Sequence, residues 1–246
     1  KFVSSAFDLD SLDFINKLNL PFFKVPSGEI TNYLYLKKLA KFNKPVILST
    51  GMSNIEEVEE SIKVLTDNGF NKNLLTLLHC NTDYPTSFKD VNLYAMKEIE
   101  EKFKVQVGYS DHTQGIEVAI AAVSLGAKVI EKHFTLNKAL EGPDHKASSE
   151  PKEFTRMVKA IRNIEKAISG SGKKTPSISE TKNINLVRKS IYLAKNIKKM
   201  QTLKDYHLIC LRPGGGISPM KITEIIGRKT KKFLKKGDKL KWENLL

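Results

Sequence analysis

Two histidines occupy matching places in two short segments, Gly108–Thr113 (GYSDHT) and Val129–Phe134 (VIEKHF). Each segment reads as a buried strand that ends in polar, ligand-capable residues. Between them, Gly115 to Lys128 carries Ala, Val and Ile at helical spacing. The three pieces form a strand–helix–strand unit with parallel strands. His112 and His133 therefore sit at equivalent ends of neighbouring strands, the end where parallel barrels carry their sites. Two imidazoles make an incomplete metal site. Glu29, Asp111 and Glu131 are the carboxylates that could serve as a third ligand or as a base. Glu131 shares a strand face with His133, two residues on. A mixed nitrogen and oxygen set with open positions suits Mn2+ or another octahedral divalent ion better than zinc.

Other strand ends add anion-binding groups. Lys24 lies in an otherwise apolar strand and reads either as a snorkelling lysine or as a holder of carboxylate or phosphate. Ser27, Ser49 and Ser110 are hydroxyls at three exits. Each alone is a turn or cap residue, while three at matching positions suggest an oxyanion or phosphate cradle. His79, alone after a buried strand, reads as a satisfied core histidine. The exit Glu141–Lys146 is either a plain turn or a substrate loop. A divalent ion, basic and hydroxyl groups and carboxylates together fit a lyase or carbon–carbon bond-forming enzyme. Its substrate would be a phosphorylated or carboxylated metabolite.

The elements that position these groups alternate. Strands are expected at 1–7, 22–26, 45–49, 74–78, 105–109 and 128–130. Helices are expected from Asp8 or Asp10 to Leu18, and over 32–42, 53–68, 92–103, 115–128 and 151–169. Continuous apolar strands between amphipathic helices indicate a parallel sheet covered on both faces. Six strand–helix units are two short of a closed (β/α)8 TIM-type barrel, so the expectation is such a barrel without its first two units. Residues 170–185, rich in Gly, Ser, Lys and Pro, read as a linker. The domains expected are a partial barrel at 1–169 and a small strand-rich domain at 186–246.

Charge marks the same boundary. Of a net +14, residues 1–181 contribute +1 and residues 182–246 contribute +13. A basic module can meet nucleic acid, a membrane surface or an anionic substrate, or be plain surface lysine in a Lys-rich chain. No groove-reading motif is present, so nucleic acid is not expected as a partner. No apolar run approaches the roughly 18–20 residues of a membrane span, and no membrane partner is expected. Only Cys80 and Cys210 occur, without C-x-x-C spacing. That points to a reducing, cytoplasmic setting.

The exit motifs resemble the bacterial N-acetylneuraminate (sialic acid) synthase family. They are Phe23–Thr31 (FKVPSGEIT), Ile47–Met52 (ILSTGM), Leu78–Pro85 (LHCNTDYP), Val107–Thr113 (VGYSDHT), Val129–Thr135 (VIEKHFT) and Glu141–Ser148 (EGPDHKAS). Leu211–Gly216 (LRPGGG) looks like part of that family's C-terminal antifreeze-like (SAF) domain. The likeness spans essentially the whole chain.

The resemblance implies an enzyme, a transferase condensing phosphoenolpyruvate with N-acetylmannosamine and water to N-acetylneuraminate and phosphate. It implies that His112 and His133 hold the divalent metal, usually Mn2+, with Mg2+ or Co2+ as substitutes. Lys24, Ser27, Ser49, Tyr84 and Ser110 match phosphoenolpyruvate-binding positions, and Asn81 and Thr82 belong to the same substrate-binding exit. Glu29 matches an acid/base carboxylate, with Glu131 as a second catalytic candidate. Asp144 matches a sugar-hydroxyl contact. Arg212 matches an arginine that reaches the partner's site in a domain-swapped homodimer. The family has two further strand–helix units before Lys1, with more phosphoenolpyruvate ligands, so little or no turnover is expected from this chain alone. N,N'-diacetyllegionaminate synthase carries much the same motifs and is the nearest alternative. A non-catalytic polyanion-binding or dimerisation module is the other.

Overall fold

The computed structural model describes residues 1–246, which divide into two compact units, Lys1–Ser171 and Gly172–Leu246. The first unit alternates helix and strand. Its elements are α1 (Leu9–Lys17), β1 (Phe23–Val25), α2 (Tyr33–Ala40), β2 (Val46–Ser49), α3 (Ile55–Asp67) and β3 (Leu75–Cys80). They continue with α4 (Ala95–Phe103), β4 (Gln106–Asp111), α5 (Glu117–Ser124), β5 (Ile130–Lys132) and α6 (Pro151–Ile168). All five strands pair in parallel, in sequence order. The result is a curled half-barrel sheet, with helices packed on one face.

Strand alternation sorts the side chains. Phe23, Val25, Val46, Leu48, Leu75, Leu77, Val107 and Tyr109 join Tyr35, Leu36, Leu39, Val58, Leu65, Met96 and Phe103 in one core cluster. Each fully buried Leu there contributes roughly 1.5–3 kcal/mol. The residues between them, Lys24, Ser49, Cys80, Ser110 and Glu131, take the opposite, concave face. Helix starts follow local chemistry. Asp8 caps α1 by accepting from Ser11 N at 2.7 Å, and Asn32 caps α2. Asn54 and Glu57 form a reciprocal capping box on α3, with bonds of 2.8 and 2.9 Å.

Three expectations need correction. The segment 1–7 is no ladder strand: it meets β1 through a single parallel bridge, Ser5 to Lys24. Phe2 and Phe7 are 70% and 69% exposed, so it lacks the two buried faces that a parallel strand needs. Five ladder strands therefore stand in the half-barrel sheet where six were expected. The stretch 170–185 is also not plain linker. Helix α7 (Ile178–Val187) begins inside it, started by the capping box of Ser177 and Glu180.

The second unit is less strand-rich than its turns suggest. It has one two-stranded antiparallel sheet, β6 (Ser190–Leu193) with β7 (Leu208–Leu211), and a one-turn helix, α8 (Ile222–Ile225). Lys239, expected in a final strand, makes only an isolated bridge to Tyr192. The unit is held by its own core of Ile191, Leu193, Ile197, Leu203, Ile217, Ile225, Leu234, Leu240 and Leu245. No helix of the chain is long and apolar enough to cross a membrane.

Candidate active site

The strand ladder sets the concave face. Cys80 pairs in register with Ser110, and Ser110 with Glu131. Lys24 and Ser49 come from β1 and β2 on the same face. The Lys24 Nζ donates to Ser49 Oγ at 2.8 Å and to the Val25 carbonyl at 3.1 Å, and lies 3.7 Å from Glu131 Oε1. The Ser110 hydroxyl donates to the same Glu131 oxygen at 2.7 Å. Only 15% of the Lys24 side chain is exposed. Burial lowers its pKa below the usual lysine value, opposed by the nearby Glu131 carboxylate. Lys24 and Glu131 both line a cavity of about 410 Å³. A larger hollow of about 610 Å³ beside α7 in the second unit contains none of these groups.

The two histidines come together above this row. Their ring centroids lie 5.2 Å apart, at 78° to each other. The Tyr84 ring packs against both, 4.2 Å from His112 and 5.3 Å from His133. Burial lowers the His112 pKa, so its ring is neutral at pH 7. Its Nδ1 contacts the backbone carbonyl of Asn81. A carbonyl can only accept, so the ring proton sits on Nδ1 and Nε2 keeps its lone pair. Ser110 Oγ is 3.3 Å from that Nε2. Its single proton, however, points to the closer Glu131 oxygen, 2.7 Å away. The Nε2 lone pair is thus buried beside His133 with no committed donor. An imidazole tethered through Nδ1–H to a carbonyl, with Nε2 open, has the disposition of a metal ligand.

A divalent ion would fit this donor set, because the partner of the His112 Nε2 lone pair, Ser110 Oγ at 3.3 Å, has a shorter bond of 2.7 Å to Glu131 for its proton. His133 is the second nitrogen, and its Nδ1 lies 3.7 Å from Asp144 Oδ2. No group of three or more His, Cys, Asp or Glu side chains forms a complete cluster. Any bound ion would take its remaining ligands from solvent or substrate.

The other candidates fall around this centre in different ways. Ser27 Oγ accepts from the Gly51 amide at 3.0 Å and contacts Cys80 Sγ at 3.3 Å. Gly51 is required there, since an added Cβ would come within 2.6 Å of Thr82 and 2.9 Å of Ser27. Asn81 contributes chiefly its carbonyl to His112, and its side chain orders its own loop by accepting from Asp83 N at 2.7 Å. Glu29 is not joined to the row: its carboxylate accepts from Asn32 Nδ2 at 2.7 Å, at the start of α2. Arg212 is exposed in the loop after β7, in the second unit.

One carboxylate reading is overturned. Asp111 is neither ligand nor base, because it points to the helix side of the sheet and is fully buried in an ion pair. Its Oδ2 accepts from Lys132 Nζ at 2.8 Å. Its Oδ1 accepts from Thr113 N and Oγ1 at 2.9 and 2.7 Å. Sequence reasoning missed Lys132 altogether. The available signal was a charged residue immediately before each histidine, and so on the other strand face. His79, by contrast, is the satisfied histidine it was read to be, its Nε2 2.9 Å from the Val91 carbonyl.

Against known proteins, the NeuB family profile matches residues 1–174, and the SAF domain profile matches residues 188–246. The chain belongs to the NeuB family. Among NeuB-family relatives, it is 53% identical over 237 residues to the N,N'-diacetyllegionaminic acid synthase of Campylobacter jejuni, covering 96% of this chain and 71% of that one. It is 44% identical to the enzyme of the same name from Legionella pneumophila, covering 100% of this chain and 69% of that one. Among solved structures, the N-acetylneuraminic acid (sialic acid) synthetase of Leptospira borgpetersenii aligns with a TM-score of 0.66 at 34% identity. That alignment covers 72% of this chain and 61% of that one.

Proposed function

We propose that this NeuB-family chain carries the catalytic machinery of a sugar-acid synthase. In this reading it condenses phosphoenolpyruvate with N-acetylmannosamine and water to give N-acetylneuraminate and phosphate. The observation that carries the reading is the His112 ring, tethered through Nδ1 to the Asn81 carbonyl and 5.2 Å from the His133 ring, next to the Lys24–Ser49–Ser110–Glu131 row. The same proposal takes the curled sheet as part of a (β/α)8 barrel and the protein as a cytoplasmic, domain-swapped homodimer.

His112 and His133 would hold the divalent ion, Mn2+ in this reading. When bound, it supplies Lewis-acid polarisation of the sugar aldehyde. Lys24 binds an anionic group of phosphoenolpyruvate, with Ser27 and Ser49 offering hydroxyl hydrogen bonds and Ser110 beside them spending its proton on Glu131. Asn81, Thr82 and Tyr84 line the exit beside them. Asp144 holds a sugar hydroxyl, and Arg212 reaches the partner subunit's site. C3 of phosphoenolpyruvate attacks the aldehyde carbon, and the aldehyde oxygen gains a proton. Water adds at C2 and loses a proton, and the C2–O bond to phosphate breaks. Glu131, fixed by Ser110, accepts the proton from that water. Glu29, which accepts from Asn32 in the free chain, takes up a proton from solvent and passes it to the aldehyde oxygen.

A second reading, N,N'-diacetyllegionaminate synthase, differs only in the acceptor sugar. It is supported by the 53% and 44% identities to relatives of that name, against 34% to the sialic acid synthetase. Phosphate release from phosphoenolpyruvate with Mn2+, measured with N-acetylmannosamine and with the 2,4-diacetamido-6-deoxy sugar, separates the two. Release with neither sugar, in a protein extended to the relatives' full length, would sink both. A purely polyanion-docking module has no comparable support, because the relatives are named as synthases.

A further inference from the structure

We propose that Asp111 and Lys132 are positioning residues that fix the separation of His112 and His133. They thereby set how tightly the chain binds a divalent cation. The inference rests on the reading of the two histidines as metal ligands.

The pair occupies the last rung of the β4–β5 ladder, where Asp111 and Lys132 are register partners. Each immediately precedes a histidine, and strand alternation puts the pair on the sheet face opposite the imidazoles. Beyond this rung the ladder no longer sets the spacing. The His112 carbonyl accepts from Thr86 N at 2.9 Å, and the His133 carbonyl from Ser149 N at 2.8 Å. What still ties the two strands together is the Lys132 ammonium. It donates to Asp111 Oδ2 at 2.8 Å and to the Thr113 carbonyl at 2.7 Å. Those acceptors flank His112 on both sides, so Lys132, next to His133, brackets it. Thr113 also closes onto Asp111 Oδ1, so both carboxylate oxygens are engaged.

Stability alone does not account for charges here. Asp111 and Lys132 side chains are 0% and 1% exposed. A buried ion pair is commonly no better for stability than an apolar pair of the same size. On the same face of the sheet, the rung before it, Tyr109 with Ile130, carries no charge. The ion pair occurs where the ladder ends and the histidines begin, which is where a cross-strand brace has a use.

The test compares Mn2+ affinity, by electron paramagnetic resonance of free Mn2+, in the wild-type chain and in the double variant Asp111→Asn/Lys132→Met. The double variant removes both charges while keeping the shapes, so its thermal melt should stay near that of the wild type. The expected result is a loss of Mn2+ affinity of about 10–100-fold, as for other residues that orient metal ligands. A folded double variant with wild-type affinity would overturn the inference. Wild-type chain that binds no Mn2+ would overturn the metal reading, and the inference with it. Should the double variant fail to fold, Lys132→Arg decides. It keeps the charge and changes the reach to Thr113, and unchanged affinity there would equally overturn the proposal.

Discussion

Replacing Lys24 with Met should separate binding from folding. The change keeps the apolar stem and removes the ammonium. In the free chain that ammonium contacts Ser49, the Val25 carbonyl and, at 3.7 Å, Glu131. Glu131 is 39% exposed and can return to water, so losing this partner should change stability by less than about 1 kcal/mol. Phosphoenolpyruvate has no such relief in a pocket where Lys24 is mostly buried. Truncating one partner of a buried, hydrogen-bonded charge pair costs about 2–5 kcal/mol. A middle value of about 3 kcal/mol weakens phosphoenolpyruvate binding roughly 150-fold. Isothermal titration, paired with a thermal melt, reads both quantities. Burial already lowers the Lys24 pKa. In its proposed role as anion holder, Lys24 would therefore lose its charge at lower pH than a surface lysine, and wild-type affinity should fall early on the alkaline side. A folded Lys24→Met protein that binds phosphoenolpyruvate within about threefold of wild type would refute the assignment of Lys24 as the anion holder.

Two further outcomes follow from packing and protonation. Gly108→Ala would put a Cβ 2.4 Å from the Val129 carbonyl and 2.6 Å from Leu78 Cδ2. It should cost about 2–3 kcal/mol in urea unfolding by wedging β4 from β5, and a change below about 0.5 kcal/mol would contradict this. His79 has its pKa lowered by burial, so the unfolded chain binds its proton first as pH falls. Stability is then full above the ordinary histidine pKa of about 6.5 and declines as pH drops from there towards the lower folded value. His79→Gln, which can still donate to the Val91 carbonyl, should flatten that decline, and an unchanged slope would show that His79 is not its source.

The sequence made the periodic parts of the molecule readable. Strands β1 to β4 and helices α1 to α3 fall close to where alternation and caps put them, because Asp8, Asn32 and Asn54 satisfy helix starts locally, while β5 runs over Ile130–Lys132, two residues beyond the expected 128–130. The terminal segment misled, because Val3 and Phe7 look like strand residues while their burial depends on what lies across from them. Helix α7 was hidden by the Gly, Ser and Pro around it, although Ser177 and Glu180 were visible as a cap. In the site, His112 and His133 were legible from topology, and their 5.2 Å approach follows from neighbouring parallel strands. The destination of Asp111 was not legible, since one residue of phase decides which face of the sheet it joins. Nor could spacing reveal that Asn81 acts on His112 through its backbone carbonyl.

The central claim is that His112 and His133 grip one divalent cation between them. Equilibrium Mn2+ binding to the wild-type chain, His112→Ala and His133→Ala tests it directly. The account predicts one ion per wild-type chain and loss of that ion in either variant, with the fold retained. Mn2+ binding that survives both replacements, or that never occurs in the wild-type chain, would contradict it.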